Sequence, residues 1–183
     1  MTFRPILIYV LLGFGAWANA QKNEPPVISE RTAFAEMKPT ERSSTSGLVT
    51  FNATTDVDTI TVRIELSGLA PRSIHGLHVH EVGDCSAADA SSAGGHFNPA
   101  GQKHGDRTGA ERHAGDLGNV EADTAGNVAT TVEIPALSVD RDVKDLAGRS
   151  VIVHAQADDL KGQPAGNSGA RIACGVIRAG SKS

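Results

Sequence analysis

Aromatic residues make up only 4% of this 183-residue chain, so its core has to come mostly from Val, Ile, Leu and Ala. Helical periodicity is missing as well: no stretch of ten or more residues repeats its apolar positions at the helical spacing. Basic residues neither dominate nor cluster. The 17 Lys+Arg against 21 Asp+Glu give a formal charge of −4, which excludes the basic patch that nucleic acid requires. The apolar run at residues 6–14 is too short to span a bilayer. Cysteine is scarce, with only Cys85 and Cys174 present.

What is present begins with a secretory signature at residues 1–20. Arg4 supplies the positive n-region, residues 6–14 the apolar stretch, and Ala18-Asn19-Ala20 the small-residue cleavage pattern. Cleavage there removes one basic residue and leaves a formal charge of −5, from 16 basic and 21 acidic side chains. Such a chain is expected to be exported, to a periplasm or the extracellular space, with no membrane association after cleavage. In an oxidising compartment the two cysteines are expected to pair, closing a loop of roughly 90 residues. Residues 21–30 read as a polar, proline-bearing linker, and 31–183 as one domain.

Short β-prone runs fill that domain, at residues 32–37, 47–51, 59–66, 77–82, 127–134, 150–154 and 172–177. About seven or eight strands with turn signals between them predict an all-β antiparallel sandwich or barrel. Two stretches, 83–126 and 158–170, are rich in Gly, Asp, Asn and Ser and lack strand patterning. Loops this long inside a compact domain usually carry function.

All seven histidines fall between residues 75 and 154: His75, His78, His80, His96, His104, His113 and His154. Neutral imidazole suits copper and zinc. His78 and His80 lie two apart on an expected strand, so both side chains point to one face. His104 with His113-x2-Asp116 supplies two imidazoles and a carboxylate, which suits tetrahedral zinc if one more ligand joins. A single histidine is more often structural. Seven together, with an apt aspartate, point to a metal site.

Four segments carry a resemblance. Gly76-Leu77-His78-Val79-His80-Glu81-Val82-Gly83-Asp84, Gly95-His96-Phe97-Asn98-Pro99, Arg112-His113-Ala114-Gly115-Asp116-Leu117-Gly118-Asn119 and the run from Gly166 through Arg171 and Cys174 to Ile177 resemble the copper/zinc superoxide dismutase family. The resemblance implies a Greek-key β-sandwich, or flattened barrel, of about eight antiparallel strands with two long functional loops. It implies copper on His78, His80, His96 and His154, and zinc on His96, His104, His113 and Asp116, with His96 shared. Asp158 would orient one histidine of each metal, His75 would brace loops, and Arg171 and His96 would be the catalytic residues acting on superoxide. A homodimer is implied too, through a face that differs between bacterial and eukaryotic members.

The chain also departs from the familiar cytosolic enzymes. The segment between Asp159 and Arg171 is shorter, and of the charged guides expected there only Lys161 remains. Ala165 stands where a channel-narrowing threonine is common. Lys103, Arg107 or Arg112 are then the candidates for guiding an anion. Cys85 follows Gly83-Asp84 directly, an early position closer to the exported bacterial pattern.

Overall fold

The computed structural model describes residues 32–54, 59–135 and 143–180. The leader and linker expected at 1–30 lie outside these residues. Eight strands follow one another: β1 Thr32–Pro39, β2 Ser46–Ala53, β3 Thr59–Ser67, β4 Ile74–His80, β5 Asp116–Glu121, β6 Val128–Pro135, β7 Ser150–His154 and β8 Arg171–Ala179. Helix among the described residues is limited to two short 3-10 turns, Ser91–Ala93 and Val143–Leu146. No helix among them is long and apolar enough to cross a membrane.

The strands pair antiparallel in the order β5-β4-β7-β8-β1-β2-β3-β6. β3 and β4 are neighbours in sequence but not in the sheet, and so are β6 and β7. Those two crossovers give the Greek-key path. With β5 and β6 at the two ends, the sheet curls into a nearly closed barrel, as expected.

Period-two patterning explains the strands on one side of the barrel. Ala33, Ala35 and Met37 of β1, Val49 and Phe51 of β2, and Ile60, Val62, Ile64 and Leu66 of β3 point inward and are buried. Their partners on the same strands stay partly or fully exposed. Strands β4 and β7 differ, being buried on both faces almost throughout. Leu77 and Val79 of β4 join the barrel core, so His78 and His80 alternate to the outer face. The long connections fold over that face and cover it.

Two details correct the sequence expectations. β4 begins at Ile74 and ends at His80, instead of running over 77–82. The segment 83–126 is not loop throughout, because β5 occupies Asp116–Glu121 within it. β5 pairs with β4 across a bulge between Gly76 and His78, and its Gly118 takes a left-handed φ of 81°. That irregularity hid the strand from a search for alternation.

The disulfide expected between Cys85 and Cys174 is formed, with Cα atoms 5.8 Å apart. It ties the loop after β4 to the middle of β8.

A candidate metal centre

Six imidazoles converge on the outer face of β4. Strand β4 itself delivers His78 and His80, and β7 ends at His154, directly across from Arg171 at the start of β8. His96 arrives from the long loop, which is docked onto β4 by backbone hydrogen bonds. The Phe97 N–H donates to Val79 O at 2.8 Å, the Gly115 N–H to Phe97 O at 2.9 Å, and the Val79 N–H to Gly115 O at 2.9 Å. Gly115 has to be glycine, since a Cβ there would collide with the Val79 carbonyl. His80 and His96 consequently face each other as an isolated bridge pair.

All six rings are buried, and their nitrogens divide into three kinds. The first kind is occupied by acceptors that fix ring orientation. His78 Nε2 donates to Asp158 Oδ2 at 2.7 Å, His80 Nδ1 to Gly94 O at 2.9 Å, and His154 Nδ1 to Gly169 O at 3.2 Å. The second kind comprises His78 Nδ1, His80 Nε2, His96 Nε2 and His154 Nε2, which are buried with no partner. Donor atoms of these same four residues lie within 4.8 Å of one another. Buried polar atoms left unpaired are costly, and four converging lone pairs are accounted for by a cation between them.

The third kind surrounds one carboxylate oxygen. Asp116 Oδ1 lies 3.1 Å from His96 Nδ1, 3.0 Å from His104 Nδ1 and 3.5 Å from His113 Nδ1, and the His96 and His113 nitrogens are 3.4 Å apart. Zinc binds nitrogen and oxygen at about 2.0–2.1 Å in a tetrahedron, whose edges are then about 3.3 Å. The four donors are spaced accordingly. Asp116 Oδ2 is turned away to accept the N–H groups of Gly105 and His113, at 3.0 and 2.8 Å. His78 also lies near this group, but with its Nε2 taken by Asp158 it has only Nδ1 to give, toward the first cluster.

Electrostatics agrees with metal ligation at both nests. Burial is the main reason the imidazoles of His78, His80 and His154 are held neutral, with pKa values lowered to about 4, 2 and 3. Neutral imidazole is the metal-binding form. His104 goes the other way: burial opposes its charge, but hydrogen bonds to Asp116 and Asp158 outweigh it and raise the pKa to about 9. Asp116 and Asp158 are ionised despite burial, because hydrogen bonds from His104 to both, from His96 to Asp116 and from His78 to Asp158 hold them well below the ordinary carboxylate range.

The family described as copper/zinc superoxide dismutase matches residues 45–177. The chain belongs to the copper/zinc superoxide dismutase family. It is 43% identical over 141 residues to the copper-zinc superoxide dismutase of Schizosaccharomyces pombe, covering 74% of this chain and 90% of the relative. A copper-zinc superoxide dismutase of Aquifex aeolicus is 39% identical over 123 residues, covering 65% and 73%. One from Onchocerca volvulus is 40% identical over 147 residues, covering 75% and 91%. The two nests of donors are those of a copper/zinc superoxide dismutase, with His96 common to both.

An open cleft of about 470 Å³ gives access to the first nest, lined by His80, His96, His154, Pro164, Ala165 and Arg171, among others. Arg171 is half-buried, with Nη1 donating to Ala90 O and Nη2 to Gly94 O, both at 2.6 Å. Gly94 O therefore holds both His80 and Arg171. Two candidate guiding cations are committed elsewhere. Arg112 donates to His113 O and Pro135 O, and Arg107 packs over Gly118. Neither they, Lys103 nor Lys161 lines the cleft. His75 stays outside both nests, bonded to Ser73 Oγ at 2.6 Å and His154 O at 2.8 Å.

Two positioning residues were not singled out from sequence. Gln163 clasps the His104 backbone, accepting from its N–H and donating to its carbonyl, each at 3.0 Å. Asn119 does the same for Asp158, at 2.7 and 2.9 Å. Each is an ordinary polar loop residue, and no spacing pattern marks it.

Proposed function

We propose that this protein dismutates superoxide to dioxygen and hydrogen peroxide, with copper held by His78, His80, His96 and His154 and zinc by His96, His104, His113 and Asp116. The observation that carries this reading is His96: its Nε2 is an unpartnered member of one nest and its Nδ1 a member of the other. When bound, copper supplies a one-electron couple and zinc a redox-inert charge that secures the loop. Two superoxide anions and two protons give one dioxygen and one peroxide, so the chain has to manage anions and protons. His96 Nε2 is the atom placed to hold a proton and pass it to peroxide. Arg171 presents a fixed cation and two fixed N–H groups at the cleft wall, where a small anion can pair with it. Asp158 keeps Nε2 of His78 and of His104 protonated, at 2.7 and 2.9 Å, which leaves each Nδ1 free as a ligand.

The test is His96→Ala. Loaded with both metals, the variant should lose the spectroscopic coupling between the two sites, and its superoxide consumption should collapse. A copper spectrum identical to the parent's would exclude the shared ring.

Export belongs to the same proposal. The cleavage pattern at Ala18-Asn19-Ala20 and the Cys85–Cys174 bond both support an oxidising compartment, a periplasm first and the extracellular space second. Purified mature protein should begin at Gln21, and retention of Met1 would refute export. The homodimer implied by the family is tested by sedimentation equilibrium.

A further inference from the structure

Arg171 stands in the wall between two clefts. One is the histidine cleft; the other lies on the outer side and is lined by Thr40, Glu41, Arg42 and Asp89 as well as Arg171. The guanidinium is tethered to Ala90 O, and Ala90 sits in a left-handed conformation with φ 58°. Asp89 immediately precedes that residue. Its Oδ1 accepts the Ser91 N–H at 2.9 Å, so the carboxylate is fixed by a tight turn around the peptide that holds Arg171.

We propose that Asp89 is a positioning residue for anion capture: from the outer cleft its carboxylate offsets part of the Arg171 charge, setting how tightly the enzyme holds small anions. The inference rests on the assignment of Arg171 as the anion-binding cation. Asp89 is exposed and held below the usual carboxylate range, first by its hydrogen bonds to Ser91 and, in smaller part, by the charge of Arg171. It is therefore ionised wherever the enzyme works. In the histidine cleft the only Lys or Arg among the lining residues is Arg171, so a change in its effective charge is felt there without compensation. The consequence is weaker retention of small anions at Arg171, which limits the accumulation of inhibitory ones.

Asp89→Asn is the informative substitution, because the amide oxygen still accepts the Ser91 N–H while the charge disappears. The full chain, loaded with copper and zinc, is titrated with azide and followed by the azide-to-copper absorption band. At an ionic strength of about 0.01 M the variant should bind azide about two- to threefold more tightly, a gap that vanishes near 0.5 M as screening shortens the field. Glu41→Gln, which removes a charge from the same outer cleft, should give less than half that effect. Equal azide affinity in Asp89→Asn and parent at low salt, with Arg171→Ala weakened, would overturn the inference and leave the Arg171 assignment standing. An equal gain from Glu41→Gln would overturn it too, by assigning the effect to net charge. If Arg171→Ala binds azide like the parent, the assignment of Arg171 itself falls, and this inference with it.

Discussion

Reducing the Cys85–Cys174 bond in the metal-free protein is expected to lower its melting temperature by roughly 9–18 °C. The bond spans 89 residues. In the chain-entropy description, opening a loop of that length returns about 4.5 kcal/mol to the unfolded state at 25 °C. For a chain of this size each kcal/mol is worth about 2–4 °C, which gives the quoted range. The folded state loses little in exchange, because Cys174 stays packed against Ala90, Ala93 and Ile152 as a buried thiol. Scanning calorimetry with and without a phosphine reductant, on metal-free protein so that copper chemistry does not intervene, measures the shift. Cys85→Ser opens the bond from its half-buried end and should reproduce the loss without reductant. A shift of less than about 2 °C in both experiments would mean that the unfolded chain is already as restricted as the bond would make it, and the entropic argument would fail.

Arg171→Ala should lower the rate of superoxide consumption by about tenfold or more at low ionic strength while copper stays bound, because the cleft loses its fixed cation; equal rates in stopped-flow measurements would sink that role. Gly166→Ala places a Cβ against Asp158 Oδ1 and 2.6 Å from His104 Nε2, at a residue with φ 63°. It should weaken zinc binding about 10–100-fold in a chelator competition, and parental affinity would show that Asp158 is not needed to orient His104. The metal-free protein should also lose stability on acidification. The folded-state pKa values of His78, His80 and His154 lie below the unfolded 6.5, so their contribution is complete above pH 6.5 and disappears as pH falls through about 4 and below. His104 has the opposite sign, contributing fully below pH 6.5 and losing it as pH rises through about 9. Melting temperatures should therefore peak near neutrality, and a rise between pH 6.5 and 5 would contradict the burial of the three neutral rings.

The strands that line the barrel core were legible because period-two alternation is what a half-buried strand requires. Thr59–Ser67 shows it cleanly, with Ile60, Val62, Ile64 and Leu66 inside. β5 was not legible, since three of its six residues have separate duties. Asp116 is a ligand-type carboxylate, Gly118 lies under Arg107, and Asn119 brackets Asp158. A strand that serves a site gives up the alternation by which strands are found. Histidine spacing announced a metal centre and the resemblance implied which nest each ring joins, but which nitrogen of each ring is left to bind needed the hydrogen bonds. The tether of Arg171 to Ala90 and Gly94 is made to backbone carbonyls, which carry no residue-type signal at all.

The same hydrogen bonds resolve a tension in the charge of the molecule. A chain with formal charge −4 repels an anionic substrate on average. Its centre need not, because local charge governs capture. Bound at the two nests, two divalent cations would bring four positive charges beside the cleft. Against these stand the carboxylates of Asp116 and Asp158, and Arg171 adds one positive charge beside the opening. Both carboxylates are buried, engaged by histidines and backbone N–H groups, and absent from the cleft lining. With the metals bound, the cleft would thus be locally positive in a chain of negative net charge. Lining it with Pro164 and Ala165 rather than further charges leaves the balance to Arg171 and whatever flanks it.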